Sequence, residues 1–217
     1  MNIIGFGGGG CKIAAGFSKY PQYDVYRIDA GIRGENCFNV PEQKSHEAYE
    51  ENYPSFANQF QKITGETIFV LTGAGTISGC VLRVLQELSH NPTTVVYVQP
   101  DLALLSEVEL KQEKIVYNVL QEYARSGMLE RIYLVSNLQI QEALGDIPIM
   151  EYYNTINQAL INTLHMINVF SHSEAVLGTF TQPMIISRIT SLMEFTKLTM
   201  NRNIVIALSI RLWYNLI

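Results

Sequence analysis

Residues 67–88 read TIFVLTGAGTISGCVLRVLQEL. TIFVL (67–71) is an apolar, β-branched run of strand length. TGAGTISG (72–79) is a turn made of glycines and hydroxyls, and CVLRVLQEL (80–88) returns apolar residues at helical spacing. A strand that leads through a glycine loop into a helix is the repeating unit of a parallel sheet. Ligands of such sheets sit beyond the carboxyl ends of the strands, where this loop lies. Gly73, Gly75 and Gly79 let the backbone approach a phosphate, and Ala74, Thr76, Ile77 and Ser78 complete the loop. The hydroxyls of Thr72, Thr76 and Ser78 are donors for phosphate oxygens, and Ser78 is also placed to cap the following helix. The plainer reading is a capped strand-to-helix turn. A P-loop is excluded, because no Lys-Ser or Lys-Thr pair follows the glycines.

The chain begins on the same plan. An apolar run over Asn2–Phe6 leads into GFGGGG (5–10), and residues 11–18 read as a helix with Ile13, Ala14 and Phe17 on its apolar side. Consecutive glycines remove every Cβ from the turn, so Gly7, Gly8, Gly9, Gly10 and Cys11 offer backbone N–H groups at a helix N-terminus to a diphosphate. This loop alone also fits the dinucleotide fingerprint as Gly5, Gly7 and Gly10, with Asp29 near the place of the ribose-binding acid. An NAD- or NADP-binding oxidoreductase therefore stays open here, although it leaves residues 72–79 unused.

Outward from the loops, the pattern keeps alternating. Residues 23–28, 94–98 and 131–135 read as strands. Residues 31–65 are polar, interrupted by Gly34, Pro41 and Pro54, and predict a loop plus a helix over 44–62. A helix over 107–126 is expected to bury Val108, Ile115, Val119, Leu120 and Tyr123. Pro148 opens the longest helical pattern, to about residue 170, with Ile149, Tyr153, Ile156, Leu160, Leu164, Ile167 and Phe170 on one stripe. The expected fold is α/β: a doubly wound, mostly parallel sheet with helices on both faces, followed by a long central helix.

Composition sets the outer bounds. Of 217 residues, 47% are hydrophobic and 16% charged, enough apolar side chain for a sizeable core. A net charge of −5 argues against a duplex-DNA surface, but not against a nucleotide held by backbone N–H groups. No apolar stretch reaches the roughly 20 residues a bilayer requires, and the opening MNIIGFGGGG lacks the basic and apolar regions of a secretory signal. Three cysteines without CxxC spacing point to a reducing, cytoplasmic setting, and the four histidines show no metal-ligand spacing.

The ordered set resembles the tubulin/FtsZ family. Its members open with a strand ending in GxGGGG and carry a signature loop reading GGGTGSG or GGGTGTG, of which TGAGTISG looks like a variant with Ala74 and Ile77 substituted. VQPD (98–101) resembles the family's TKPF, LVSN (134–137) its VIPN, and YNTINQAL (153–160) the start of its central helix. The resemblance covers roughly residues 1–195. It implies a domain over 1–172 that binds GTP or GDP with Mg2+, including the central helix at about 148–170, and a post-helix segment over 173–217 with the second domain absent or truncated. It implies phosphate contacts from both loops, Asp29 toward the ribose, Tyr153 stacked on the base and Asn157 on the base edge. It also implies head-to-tail filaments, with GTP hydrolysis at the subunit contact. Two departures bear on this. Lys12 stands where bacterial members carry a guanine-reading Asn, and no Asp or Glu lies between Glu174 and Glu194, where the family places its catalytic acids. A non-hydrolysing structural member is therefore an alternative. The apolar ending with Trp213 and Tyr214 is expected to pack on the core, the alternative being that it meets a neighbouring subunit.

Overall fold

The structure, a computed structural model, describes residues 1–173, 188–200 and 203–211. Its strands are β1 (Asn2–Phe6), β2 (Asp24–Ala30), β3 (Cys37–Val40), β4 (Thr67–Thr72), β5 (Thr93–Gln99), β6 (Arg131–Ser136), β7 (Ile189–Met200) and β8 (Asn203–Arg211). Its helices are α1 (Gly7–Ala15), α2 (His46–Glu51), α3 (Ala57–Phe60), α4 (Val81–Glu87), α5 (Glu107–Arg125), α6 (Asn137–Leu144) and α7 (Tyr152–Ser171). The strands form one sheet in the order β3-β2-β1-β4-β5-β6-β7-β8. All neighbours run parallel except β7 and β8, which pair antiparallel.

The strand order reverses direction between β1 and β4, which lie side by side with Phe6 opposite Leu71. The two glycine loops thus leave adjacent carboxyl ends at the topological switch point of the sheet.

Alternation along the strands separates two cores. Ile4, Phe6, Phe69, Leu71, Val95 and Tyr97 face one side, covered by Val81, Val84 and Leu85 of α4 and by Val116, Leu120 and Ala124 of α5. Ile3, Ile68, Val70, Val96 and Val98 face the other, covered by Ile13 and Ala14 of α1, Ile140 of α6 and Ile156, Leu160 and Leu164 of α7. Burying strands on both faces explains their near-continuous apolar runs. The doubly wound, mostly parallel sheet and the long helix are as the sequence predicts.

Four local expectations are corrected. Residues 44–62 form two short helices in place of one. Ser45 caps α2 by accepting the Ala48 N–H at 3.1 Å. The break beyond α2 contains Pro54, and the Glu87 carboxylate holds it by accepting from Tyr53 Oη, Ser55 Oγ and the Phe56 N–H. Residues 37–40, expected as loop, form β3 at the sheet edge. On α5 the inward stripe is Glu113, Val116, Leu120 and Ala124, leaving Val108 and Ile115 exposed. On α7 the middle of the expected stripe is buried, but Tyr153 and Phe170 are exposed, and Ile149 lies in a 3₁₀ turn before the helix. The segment at 178–186 and residues Trp213 and Tyr214 lie outside the described residues.

Candidate functional site

The first loop is tighter than a loop. Its glycines form the opening turn of α1, which carries no acidic residue and no side-chain cap, so its first N–H groups stay free of a side-chain partner. Each glycine has its own reason. A Cβ on Gly5 would stand 2.5 Å from the Gly10 carbonyl oxygen and 2.7 Å from the Ala14 Cβ, and a Cβ on Gly10 would run into the Val70 carbonyl oxygen. These two let α1 lie directly on β1 and β4. Gly7 has φ +68°, a left-handed backbone that favours glycine. A Cβ on Gly9 would meet Thr72 Cγ2 at 2.6 Å. Gly8 is exposed, and a Cβ there would find only Asp29 Oδ2, at 3.8 Å.

The second loop converges on the first. Ile77 Cγ2 lies 3.2 Å from the Cβ position of Gly7, and Thr72 touches Gly9. Ala74 holds φ +66°, the conformation that glycine adopts without cost and that this chain imposes on alanine. Gly73 is pressed against Tyr97 Oη and Pro100, and Gly79 against the His46 carbonyl of α2. Residues 76–80 form a 3₁₀ turn with no side-chain cap, so Ser78 does not cap the helix after it. Its residue is 2% exposed and its hydroxyl has no hydrogen-bond partner. A buried hydroxyl without a partner costs on the order of 1–3 kcal/mol. The second loop thus holds a buried polar group with no partner in the chain, while Gly8 is the open position of the first.

Of the remaining predicted residues, Asp29 and Cys11 lie against the first loop. Asp29 is half-buried at the end of β2, accepts the Ala30 N–H at 2.9 Å and faces Gly8. Cys11 is buried and donates to the Gly5 and Ile28 carbonyls at 3.3 and 3.5 Å. Burial first, and then the Asp29 charge, push its thiol up to about 12, so it stays protonated and serves packing. Lys12 is exposed on α1. The far end of α7 bonds His172 Nε2 to Glu66, just ahead of β4, at 2.7 Å. That fixes the direction of α7, whose first turns start at the loop end of the sheet. There Tyr153 is 68% exposed and Asn157 half-buried, one turn apart.

Three residues near the second loop escape a motif reading. Tyr97 donates to the buried Glu113 carboxylate at 2.9 Å, and His46 has a buried Nε2 without a partner. Glu113 leaves one trace in the sequence: it falls on the Val116, Leu120, Ala124 stripe at helical spacing. Among the described residues there is no group of three or more His, Cys, Asp or Glu side chains placed to hold a metal, and no helix long and apolar enough to cross a membrane.

No family model and no curated protein matches the sequence. Solved structures do match. CetZ from Methanosaeta thermophila superposes with a TM-score of 0.60 and 16% identity, over 82% of this chain and 56% of that one. An empty FtsZ dimer from M. jannaschii gives 0.64 and 12%, over 82% and 56%. A tryptophan-to-tyrosine variant of M. jannaschii FtsZ gives 0.62 and 12%, over 82% and 58%. This chain thus has the fold of FtsZ and CetZ, and it spans 56% to 58% of the length of these structures.

Proposed function

With the fold of FtsZ and CetZ as the premise, we propose that this chain binds GTP or GDP between its two glycine loops and assembles head to tail into cytoplasmic filaments. The observation that carries the reading is the meeting of the loops at the switch point, with Gly8 open and the Ser78 hydroxyl buried without a partner. In this reading residues 1–172 are the nucleotide domain and 173–217 a post-helix segment. The N–H groups of Gly7, Gly8, Gly9, Gly10 and Cys11 hold one side of the phosphate chain, and residues 73–79 hold the other. Asp29 receives the ribose, Tyr153 offers its exposed ring to the base, and Asn157 bonds the base edge. Lys12 supplies positive charge beside the site. Mg2+, when bound, neutralises charge on the phosphates.

Whether GTP is turned over is a separate matter. No Asp or Glu lies between Glu174 and Glu194, so the chain brings no carboxylate there to orient a water, which favours a structural member that keeps nucleotide without hydrolysing it. The NAD-type alternative uses only the first loop. The test is a titration of nucleotide-stripped protein with GTP, ATP and NADH, followed by sedimentation with added GTP. Selective GTP binding with pelleting is expected, and equal, millimolar affinity for GTP and ATP defeats the reading. Single-turnover hydrolysis that rises with protein concentration would remove the non-hydrolysing form.

A further inference from the structure

We propose that Tyr97 and Glu113 are a buried positioning pair that sets the shape of the second glycine loop and thereby its hold on phosphate. The inference rests on the reading of residues 73–79 as a phosphate loop.

Tyr97 lies near the carboxyl end of β5, beside β4, and its hydroxyl is driven against Gly73, with Cζ 3.0 Å from the Cβ position there. Pro100 closes the same space at 2.9 Å. No other residue type fits at 73 without moving the tyrosine. The ring in turn is fixed from α5, where Glu113 accepts its hydroxyl at 2.9 Å, both residues being buried. A charge-assisted hydrogen bond in the interior is strong, and a carboxylate is a costly group to bury for packing alone. The next residue, Ala74, carries the left-handed φ of +66°, a conformation that persists only where its surroundings enforce it. Gly73 is held on one side by its N–H to the Val98 carbonyl at 3.1 Å and on the other by the Tyr97 hydroxyl. The pair thus acts through the loop backbone: it touches no ligand itself, and it determines where the N–H groups of residues 73–79 point.

The test uses the full chain and four variants. Tyr97→Phe removes the hydroxyl, Glu113→Gln keeps an acceptor, Glu113→Leu removes it, and Tyr97→Phe/Glu113→Leu removes both partners. The last leaves no buried group unpaired, so thermal stability recovers relative to the single losses. Hydrogen exchange of the amides of residues 73–79 is the first readout. Faster exchange there is expected in Tyr97→Phe, in Glu113→Leu and still in the double variant, with Glu113→Gln near wild type. GTP affinity, measured where all variants are folded, is the second, and a loss of about tenfold is expected for Tyr97→Phe and the double variant. If loop exchange and affinity both return to wild type in the double variant along with stability, the pair is merely structural and the proposal fails. If the wild-type chain binds no GTP, the nucleotide reading fails, and the exchange data alone then decide whether the pair shapes the loop.

Discussion

Gly8 and Gly10 sit in one tetraglycine run, yet their surroundings assign them opposite roles. A Cβ at Gly10 collides with the Val70 carbonyl oxygen, which is backbone and cannot rotate away, so Gly10→Ala is expected to cost roughly 1–3 kcal/mol of stability, read from denaturant unfolding. A Cβ at Gly8 meets nothing nearer than 3.8 Å, so Gly8→Ala leaves stability within about 0.5 kcal/mol while lowering GTP affinity where the methyl stands in the path of phosphate. Equal destabilisation by the two would show that the whole run serves packing. Ser78 allows a sharper separation. Its buried hydroxyl has no partner in the chain, so Ser78→Ala should leave the nucleotide-free protein as stable as wild type or more so, yet weaken GTP binding. A drop in both would mean that the hydroxyl has a structural partner. At this scale the sequence identified the residues of the two loops, because four glycines in a row and a repeated strand–glycine–helix unit are legible in one dimension. It did not distinguish a glycine that packs from one that is open, which depends on what lies across the sheet.

Elements were legible where their period was clean and illegible where tertiary partners chose among faces. The strands at 67–71, 94–98 and 131–135 were readable because both faces are buried. The inward stripe of α5 was misread, since the stripe follows Glu113, a charged residue that only its bond to Tyr97 explains. The divided helix at 44–62 escaped for the same reason, since Glu87, distant in sequence, holds the break, and the short edge strand β3 is defined by its pairing with β2 alone. Two helices carry histidines with opposite pH signatures. In α2, burial lowers the pKa of His46, against the raising effect of Glu47 and Glu50. At the end of α7, the Asn168 carbonyl and then Glu66 raise that of His172, against partial burial and the Met1 ammonium. The raised His172 stabilises the fold fully below the unfolded value of 6.5, and that contribution is lost as pH rises through its folded pKa. The lowered His46 is neutral and without effect at high pH, and acidification from 6.5 down through its folded pKa costs stability. Between about pH 8 and about pH 5, His46→Asn should therefore lessen the acid-side fall in melting temperature and His172→Asn should deepen it. Shifts in the same direction would refute the assignment.

At the scale of the molecule, the order of strands does what no single motif does: it brings residues 5–10 and 72–79 together at one end of the sheet. Ile149 and Met150 are 91% and 93% exposed, immediately before α7, and Leu104 is exposed on the connection after β5. The periodicity that placed Ile149 inside continued one turn too far: Ile149 lies in the 3₁₀ turn ahead of α7, where no described residue buries it. Single exposed apolar residues are ordinary, but two in a row just before α7, at the loop end of the sheet, form a rim that suits a surface a second copy covers. If filaments form with the nucleotide end of one subunit against the next, this rim is buried on assembly. The variant Ile149→Ser/Met150→Ser should then keep its stability within about 0.5 kcal/mol and keep GTP affinity, while the fraction pelleted with GTP falls sharply. Sedimentation velocity across protein concentrations measures this directly. An unchanged pellet would place the subunit contact elsewhere, and a lost affinity for GTP would instead tie Ile149 and Met150 to the base beside Tyr153.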